Sequence, residues 1–245
     1  MPTRSRSWTR RTLRKLSNWI AYQYRIASRK VITIEGVRLR LGRHMSRRVE
    51  RALSKGAYER EELRLIGSVL SPSDVVLEVG AGLGLVSTYC AKRIGSGRVF
   101  AYEADPDLEP CIRETYKLNG VEPTLEMCAV GPRPGRVTLY RDKHFVSSSV
   151  VRRRAGSRPV EVPGKSLNQL IQKTQPTLLV VDAEGAEREL FDGAQLPTVD
   201  KIVLELHDRV IGPTGTDAVR AVLSNLGFRE DRALSSPEHL VLRRF

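Results

Sequence analysis

The chain has 245 residues, 40% of them hydrophobic, and a formal net charge of +13. That length suits one large domain with appendages rather than two full domains, and no apolar run reaches the roughly 20 residues of a membrane span. Three widely spaced cysteines, Cys90, Cys111 and Cys128, fit neither a disulfide framework nor a zinc pattern, so a reducing, cytoplasmic setting is expected.

The charge is concentrated at one end. Residues 1–60 hold 17 Lys/Arg and 3 Asp/Glu, leaving 24 basic and 25 acidic residues for the rest. The basicity belongs to a leader, and a nearly neutral body argues against a nucleic-acid acceptor, whose enzyme usually carries basic surface around its cleft. The leader is read as residues 1–55 and the main domain as 56–245.

In chain order, Trp8 to Ala27 predicts an amphipathic helix: Leu13, Leu16, Ile20, Tyr24 and Ala27 recur at helical steps, and arginines take another face. Val31–Ile34 and Val37–Leu41 flank Glu35-Gly36 as a hairpin. A second helix is expected through Glu61–Leu70. The main domain then alternates: strand Val75–Val79, helix Leu85–Ile94, strand Arg98–Glu103, a helix opened by Asp105-Pro106 and closed by Asn119-Gly120, and strand Thr124–Val130. A less regular insertion includes the strand-like Val137–Arg141 and Ser147-Ser148-Ser149. Strands Thr177–Val181 and Ile202–Leu206, a helix over Thr216–Leu226 and two strands near Phe228 and His239–Leu242 complete the chain. The expected fold is α/β and Rossmann-like: a mostly parallel seven-stranded sheet with a C-terminal antiparallel hairpin, plus an N-terminal helix and β-hairpin extension.

The first strand runs straight into Gly80, Gly82 and Gly84 and then a helix. Glycines here permit a tight turn and the close approach of a ligand at a helix N-terminus. About twenty residues on, Glu103 ends the second strand, where a carboxylate can accept both ribose hydroxyl protons, with Ala104 beside it. The spacing is Gly-x-Gly-x-Gly, and Glu78 precedes it; a carboxylate there suits a methionyl ammonium and would repel a pyrophosphate. Glu78-x-Gly80-x-Gly82-x-Gly84 resembles the first motif of class I S-adenosylmethionine-dependent methyltransferases. A dinucleotide enzyme and a merely tight turn are the alternatives.

Gly56-Ala-Tyr-Glu-Arg-Glu-Glu, Tyr102-Glu-Ala-Asp-Pro, Val181-Asp-Ala-Glu-Gly-Ala-Glu187 and Leu204-Glu-Leu-His207 together resemble the FkbM-type methyltransferases over roughly residues 56–245. Val181 departs from the family, which often has Lys or a like residue there. The resemblance implies S-adenosyl-L-methionine as cofactor and O-methylation of a hydroxylated small molecule such as a sugar or polyketide. Tyr58 and Glu59 are expected as a lid over the cofactor or as ordinary helix capping. An RNA or protein methyltransferase, or a non-catalytic cofactor-binding protein, is the alternative; no Asn/Asp-Pro-Pro-aromatic run is present.

Strand ends meet at one crevice, bringing Asp182, Glu184, Glu205 and His207 together. His207, with an ordinary pKa of about 6.5, is the expected base, Glu205 its orienting partner, and Asp182 either a third participant or a helix cap. Glu184 and Glu187 are read as stabilising that helix or facing solvent, and His44, His144 and His239 as lying off this rim. These side chains are hard metal ligands, but nothing in their spacing demands a metal, and none is expected. The leader, free of acidic residues before Glu35, suits an anionic membrane surface through residues 8–30, nucleic acid, or packing on the main domain; the same composition fits a transit peptide. The setting is accordingly cytoplasmic or peripheral at a membrane.

Overall fold

The computed structural model describes residues 31–41, 53, 59–141, 149 and 157–244. The leader helix over Trp8–Ala27, the membrane segment 8–30, Tyr58, His44, His144, Ser147 and Ser148 lie outside these residues. Among the described residues, no helix is long and apolar enough to cross a membrane.

Val31–Ile34 (β1) and Val37–Arg40 (β2) form the antiparallel hairpin, followed by helix Arg60–Val69 (α1). The main sheet uses Val76–Val79 (β3), Val99–Glu103 (β4) and Thr124–Met127 (β5). Helices Leu85–Ile94 (α2) and Glu109–Asn119 (α3) connect them. Next come Ala129–Gly131 (β6), Gly135–Arg141 (β7), Arg158–Ser166 (β8) and helix Leu167–Thr174 (α4). Leu178–Val181 (β9), the short helix Glu187–Leu190 (α5), Lys201–Glu205 (β10), helix Asp208–Asn225 (α6), Phe228–Glu230 (β11) and His239–Arg244 (β12) follow.

Seven strands pair in the order β11-β12-β10-β9-β3-β4-β5. All contacts from β10 to β5 are parallel, and β12 runs antiparallel to both β10 and β11. Alternation along each strand divides the core in two. Val76, Ala101, Leu178, Val180, Val203 and Val241 face one cluster, shared with α1, α2, α3 and hairpin residues Ile34, Val37 and Leu39. Leu77, Val79, Leu179, Val181, Ile202 and Leu204 face the other, with α4, α5 and α6. Because both faces are covered, β3 and β9 read as continuous apolar runs apart from Glu78.

Three expectations change. Thr124–Val130 is not one strand: it breaks at Cys128, which turns into the second core, and Ala129–Gly131 joins a separate sheet of order β6-β8-β7. Strand β8 and helix α4 carry no counterpart in the sequence reading, since Pro159 and Pro163 look like strand breakers. They are tolerated because β6 pairs with β8 only from Gly164 onward, so both prolines lie where β8 has β7 alone as neighbour. Helix α6 begins at Asp208 rather than Thr216, interrupted by Gly212 at φ 69 before Pro213.

Candidate active site

The carboxyl ends of β3, β4, β9 and β10 converge where the strand order reverses, the usual ligand crevice of an open α/β sheet. Gly80, Gly82 and Gly84 have φ of 90, 54 and 74, all in the range that favours glycine. The Gly80 and Ala81 amides donate to the Tyr102 carbonyl at 2.9 and 3.1 Å, tying the loop to β4. Glu103 closes the other side: its carboxylate accepts from the Gly82 amide at 2.9 Å and the Asp105 amide at 2.8 Å. Two backbone donors fix its plane while each oxygen keeps a lone pair for a ribose hydroxyl. Ala104 packs half-buried against Leu139 and Val162 of the small sheet. Asp105 caps the turn after β4 through the Asp107 amide and is bound by Arg141 of β7, which anchors the insertion here.

The crevice is rich in buried carboxyls. Glu78 is 1% exposed, and neither oxygen has a well-formed hydrogen bond, although Ser87 lies alongside. Burial above all, with smaller repulsions from Glu103 and Asp182, pushes its pKa up to about 8 against the help of Ser87. Burial likewise lifts Glu103 to about 7 against the pull of its two amide donors. Glu62 on α1 is buried, and burial with the charges of Glu59, Asp182, Glu205 and Glu78 holds it well above the carboxylate range. The sequence reading missed Glu62; its position on the apolar face of α1, beside Leu63, Leu65 and Ile66, was the signal. Glu59 sits at the N-cap of α1 with φ 48, its carbonyl accepting from the Leu63 amide. Carboxyls held partly protonated for want of a counter-charge suit a ligand bearing a sulfonium and an ammonium.

At the amino edge of the same sheet, Lys201 neutralises Asp74 at 2.5 Å. At the carboxyl edge the counter-charge is histidine. His207 Nδ1 meets Glu187 Oε1 at 2.7 Å, and Nε2 faces Glu184 Oε2 at 3.4 Å, Asp182 Oδ1 at 3.6 Å and Glu205 Oε1 at 3.9 Å. Burial opposes the imidazolium, but the Glu187 hydrogen bond and the charges of Asp182, Glu184 and Glu187 outweigh it, raising the ring to about 9. Burial also raises Asp182, with His207 opposing, and lifts Glu205 to about 8.

The structure therefore unites Asp182, Glu205 and His207 and corrects four details. The ring's orienting carboxylate is Glu187, fully buried and held by the Gly185 amide, not Glu205 and not a solvated helix residue. Asp182 is no helix cap: Glu184 and Gly185 take φ of 49 and 98, so right-handed helix begins only at Glu187. His239 does reach the rim, its Nε2 3.8 Å from Glu205 Oε2, because β12 runs antiparallel and starts at the carboxyl end of β10. The imidazole is pushed up to about 9, above the ordinary 6.5, by the carboxyls around it. Ser149, the described part of the serine run, donates to the Glu184 carbonyl at 2.7 Å and so braces this loop.

A glycine loop after β3, a carboxyl at the end of β4 and an acidic crevice beside them are the features expected of a Rossmann-like methyltransferase. The chain matches the FkbM methyltransferase domain over residues 78–230, and it belongs to that family, whose methyl donor is S-adenosylmethionine. It is 28% identical over 224 residues to the AMB antimetabolite synthetase AmbE of Pseudomonas aeruginosa, covering 70% of this chain and 10% of that protein. It is 28% identical over 167 residues to ribosomal RNA small subunit methyltransferase A of Thermotoga neapolitana, covering 58% of this chain and 60% of that one. The chain thus spans a tenth and 60% of the lengths of these relatives. Among solved structures it is similar to the Pyrococcus abyssi tRNA (uracil-54, C5)-methyltransferase in complex with S-adenosyl-L-homocysteine. That likeness has 13% identity and a TM-score of 0.49, over 87% of this chain and 43% of that one.

A pH dependence of cofactor affinity follows from Glu103. A carboxyl that is to accept from ribose hydroxyls binds best ionised, whereas burial lifts Glu103 to about 7. Binding should therefore release a proton below pH 7, and affinity should climb by up to about tenfold per pH unit from pH 5.5 before levelling. Calorimetry in buffers of different ionisation enthalpy measures this proton, and Glu103→Gln should remove its share. An unchanged proton count in Glu103→Gln would assign the ribose contact elsewhere.

Proposed function

We propose that the chain transfers the methyl group of S-adenosylmethionine to a hydroxyl of a small molecule, such as a sugar or polyketide. The observation that carries this reading is the His207 cluster, a histidine oriented by a buried carboxylate beside the cofactor loop. A sulfonium donor needs little activation, so the protein's tasks are in-line alignment, exclusion of water and removal of the acceptor's proton. Among the carboxyls beside His207, Glu184 takes up that proton, while His207, raised to about 9, holds Asp182, Glu184 and Glu205 around the acceptor oxygen.

The Thermotoga relative is named for ribosomal RNA, which makes RNA the competing acceptor. Here β9 is followed by Asp182-Ala-Glu-Gly, without the Asn/Asp-Pro-Pro-aromatic run that goes with a nucleobase amino group. Incubation with methyl-labelled cofactor and separate pools of hydroxylated small molecules, RNA and protein tests the choice. Alkali-stable label in the small-molecule pool, as a methyl ether gives, is expected; label in RNA or protein alone would sink the reading.

A further inference from the structure

His207 is held in one orientation by one strong contact. Glu187 Oε1 engages Nδ1 at 2.7 Å, Glu187 is fully buried, and the Gly185 amide pins the same oxygen at 2.9 Å. The free ring nitrogen then points at oxygens of Glu184, Asp182 and Glu205 at 3.4, 3.6 and 3.9 Å, longer than the usual limit of about 3.2 Å for an N–H···O bond. Asp182 Oδ1 is buried and has no hydrogen-bond partner, an arrangement that costs free energy unless something occupies the space it faces. One ligand atom from each of Asp182, Glu205 and His207 lies within 4.8 Å of the others. Around a divalent ion with bonds of about 2.1 Å, adjacent ligands stand about 3.0 Å apart and opposite ones about 4.2 Å. The observed separations fall in and around that span.

We propose that Asp182, Glu205 and His207 Nε2 hold a divalent first-row metal ion at the acceptor side of the crevice. Glu187 is then the carboxylate that fixes the ring of a metal-binding histidine, the recurrent outer partner of such ligands. One imidazole with two carboxylates suits Mn²⁺, Fe²⁺ or Zn²⁺ better than Ca²⁺. Spacing alone had pointed to no metal; the folded rim supplies what spacing lacked, an oriented ring and an orphaned Asp182 oxygen. The ion's role rests on the hydroxyl-acceptor reading, although the site itself does not. An acceptor oxygen would complete the ion's shell, and its proton would pass to the Glu184 carboxylate. Its lone pair forms the new O–C bond as the C–S bond breaks, leaving S-adenosylhomocysteine.

The test needs no acceptor. Full-length protein stripped with chelator and loaded with S-adenosylhomocysteine is titrated with Mn²⁺ and followed by electron paramagnetic resonance, with Zn²⁺ as competitor. One bound equivalent is expected, with the pulsed spectrum carrying the nitrogen modulation of one coordinated imidazole. Glu187→Gln should weaken binding about 10- to 100-fold, and Asp182→Asn and Glu205→Gln at least as much. His207→Gln should abolish the modulation, whereas His239→Gln should keep it. S-adenosylhomocysteine affinity reports folding in each variant, and Glu205, part-exposed at the rim, is the variant least prone to misfold. Absence of Mn²⁺ and Zn²⁺ binding overturns the site, as does binding that all these variants leave unchanged or nitrogen modulation surviving in His207→Gln. Failure of the hydroxyl reading shows itself separately, as missing label in the small-molecule pool.

Discussion

Replacing His207 by alanine is expected to lower turnover about 100- to 10,000-fold, the range for losing the group that manages a transferred proton. Affinity for S-adenosylmethionine should change little, because the Gly80–Gly84 loop and Glu103 make no hydrogen bond to this ring. The substitution has a second consequence that the residue's surroundings dictate. Glu187 is 0% exposed, and its Oε1 would keep only the Gly185 amide once the imidazole is gone. A buried carboxylate short of a partner costs about 1–3 kcal/mol, so the variant should also melt lower. His207→Gln, which keeps a donor within reach of Glu187, should recover stability without recovering turnover. That split separates chemistry from packing. The ring's titration, followed by NMR in cofactor-free and metal-free protein, should centre near pH 9 and fall toward 6.5 in Glu187→Gln, because the largest stabiliser of its charge is removed. Near-normal turnover in His207→Ala would place proton removal elsewhere, with Asp182 the next residue to replace.

The parts of this site that could be read from the sequence are those encoded by neighbours in the chain. Gly80, Gly82, Gly84 and Glu103 follow from one strand–loop–helix unit and the next strand's end, and the fold places them together through short local links. Asp182, Glu205 and His207 were legible because parallel strands all end at the same edge. What stayed hidden depends on tertiary pairing. Glu187 belongs to a motif read as helical, and only the left-handed turn at Glu184-Gly185 swings it inward under His207. His239 reaches the rim through the antiparallel register Glu205↔His239, which no periodicity announces. Glu62 places an ionisable carboxyl on an apolar helix face, a pattern that periodicity alone discounts. Strand β8 escaped notice for a similar reason, since its prolines are acceptable only at an unpaired edge.

The largest structural effect is expected at Gly80, where cofactor loop and acceptor rim touch. Its φ is +90, and a Cβ built there would lie 1.9 Å from the Asp182 carbonyl oxygen and 3.0 Å from its carbon. Neither side can yield cheaply. Asp182 is held to β3 by its amide, which donates to Val79 at 2.9 Å, and Val181 pairs in register with Val79. Relieving the clash means opening the β3–β9 ladder at the carboxyl edge and moving the Asp182 side chain out of the cluster. Strained backbone of this kind costs about 1–3 kcal/mol by itself, and the overlap with main-chain atoms adds to it. Gly80→Ala should therefore lose at least about 3 kcal/mol, a large share of the 5–15 kcal/mol typical of a domain. Gly84 offers a contrast: a Cβ there meets Ile112 Cγ2 at 2.9 Å and Tyr116 Cε1 at 3.1 Å, side-chain atoms with more freedom to shift. Gly120, at φ +66 with nothing within 4 Å, isolates the backbone contribution. Urea unfolding should rank the losses Gly80→Ala, then Gly84→Ala, then Gly120→Ala, and cofactor binding should vanish in the first even at temperatures where it remains folded. If Gly80→Ala unfolds at the same urea concentration as Gly120→Ala, the contact with Asp182 is not what holds the loop against β9.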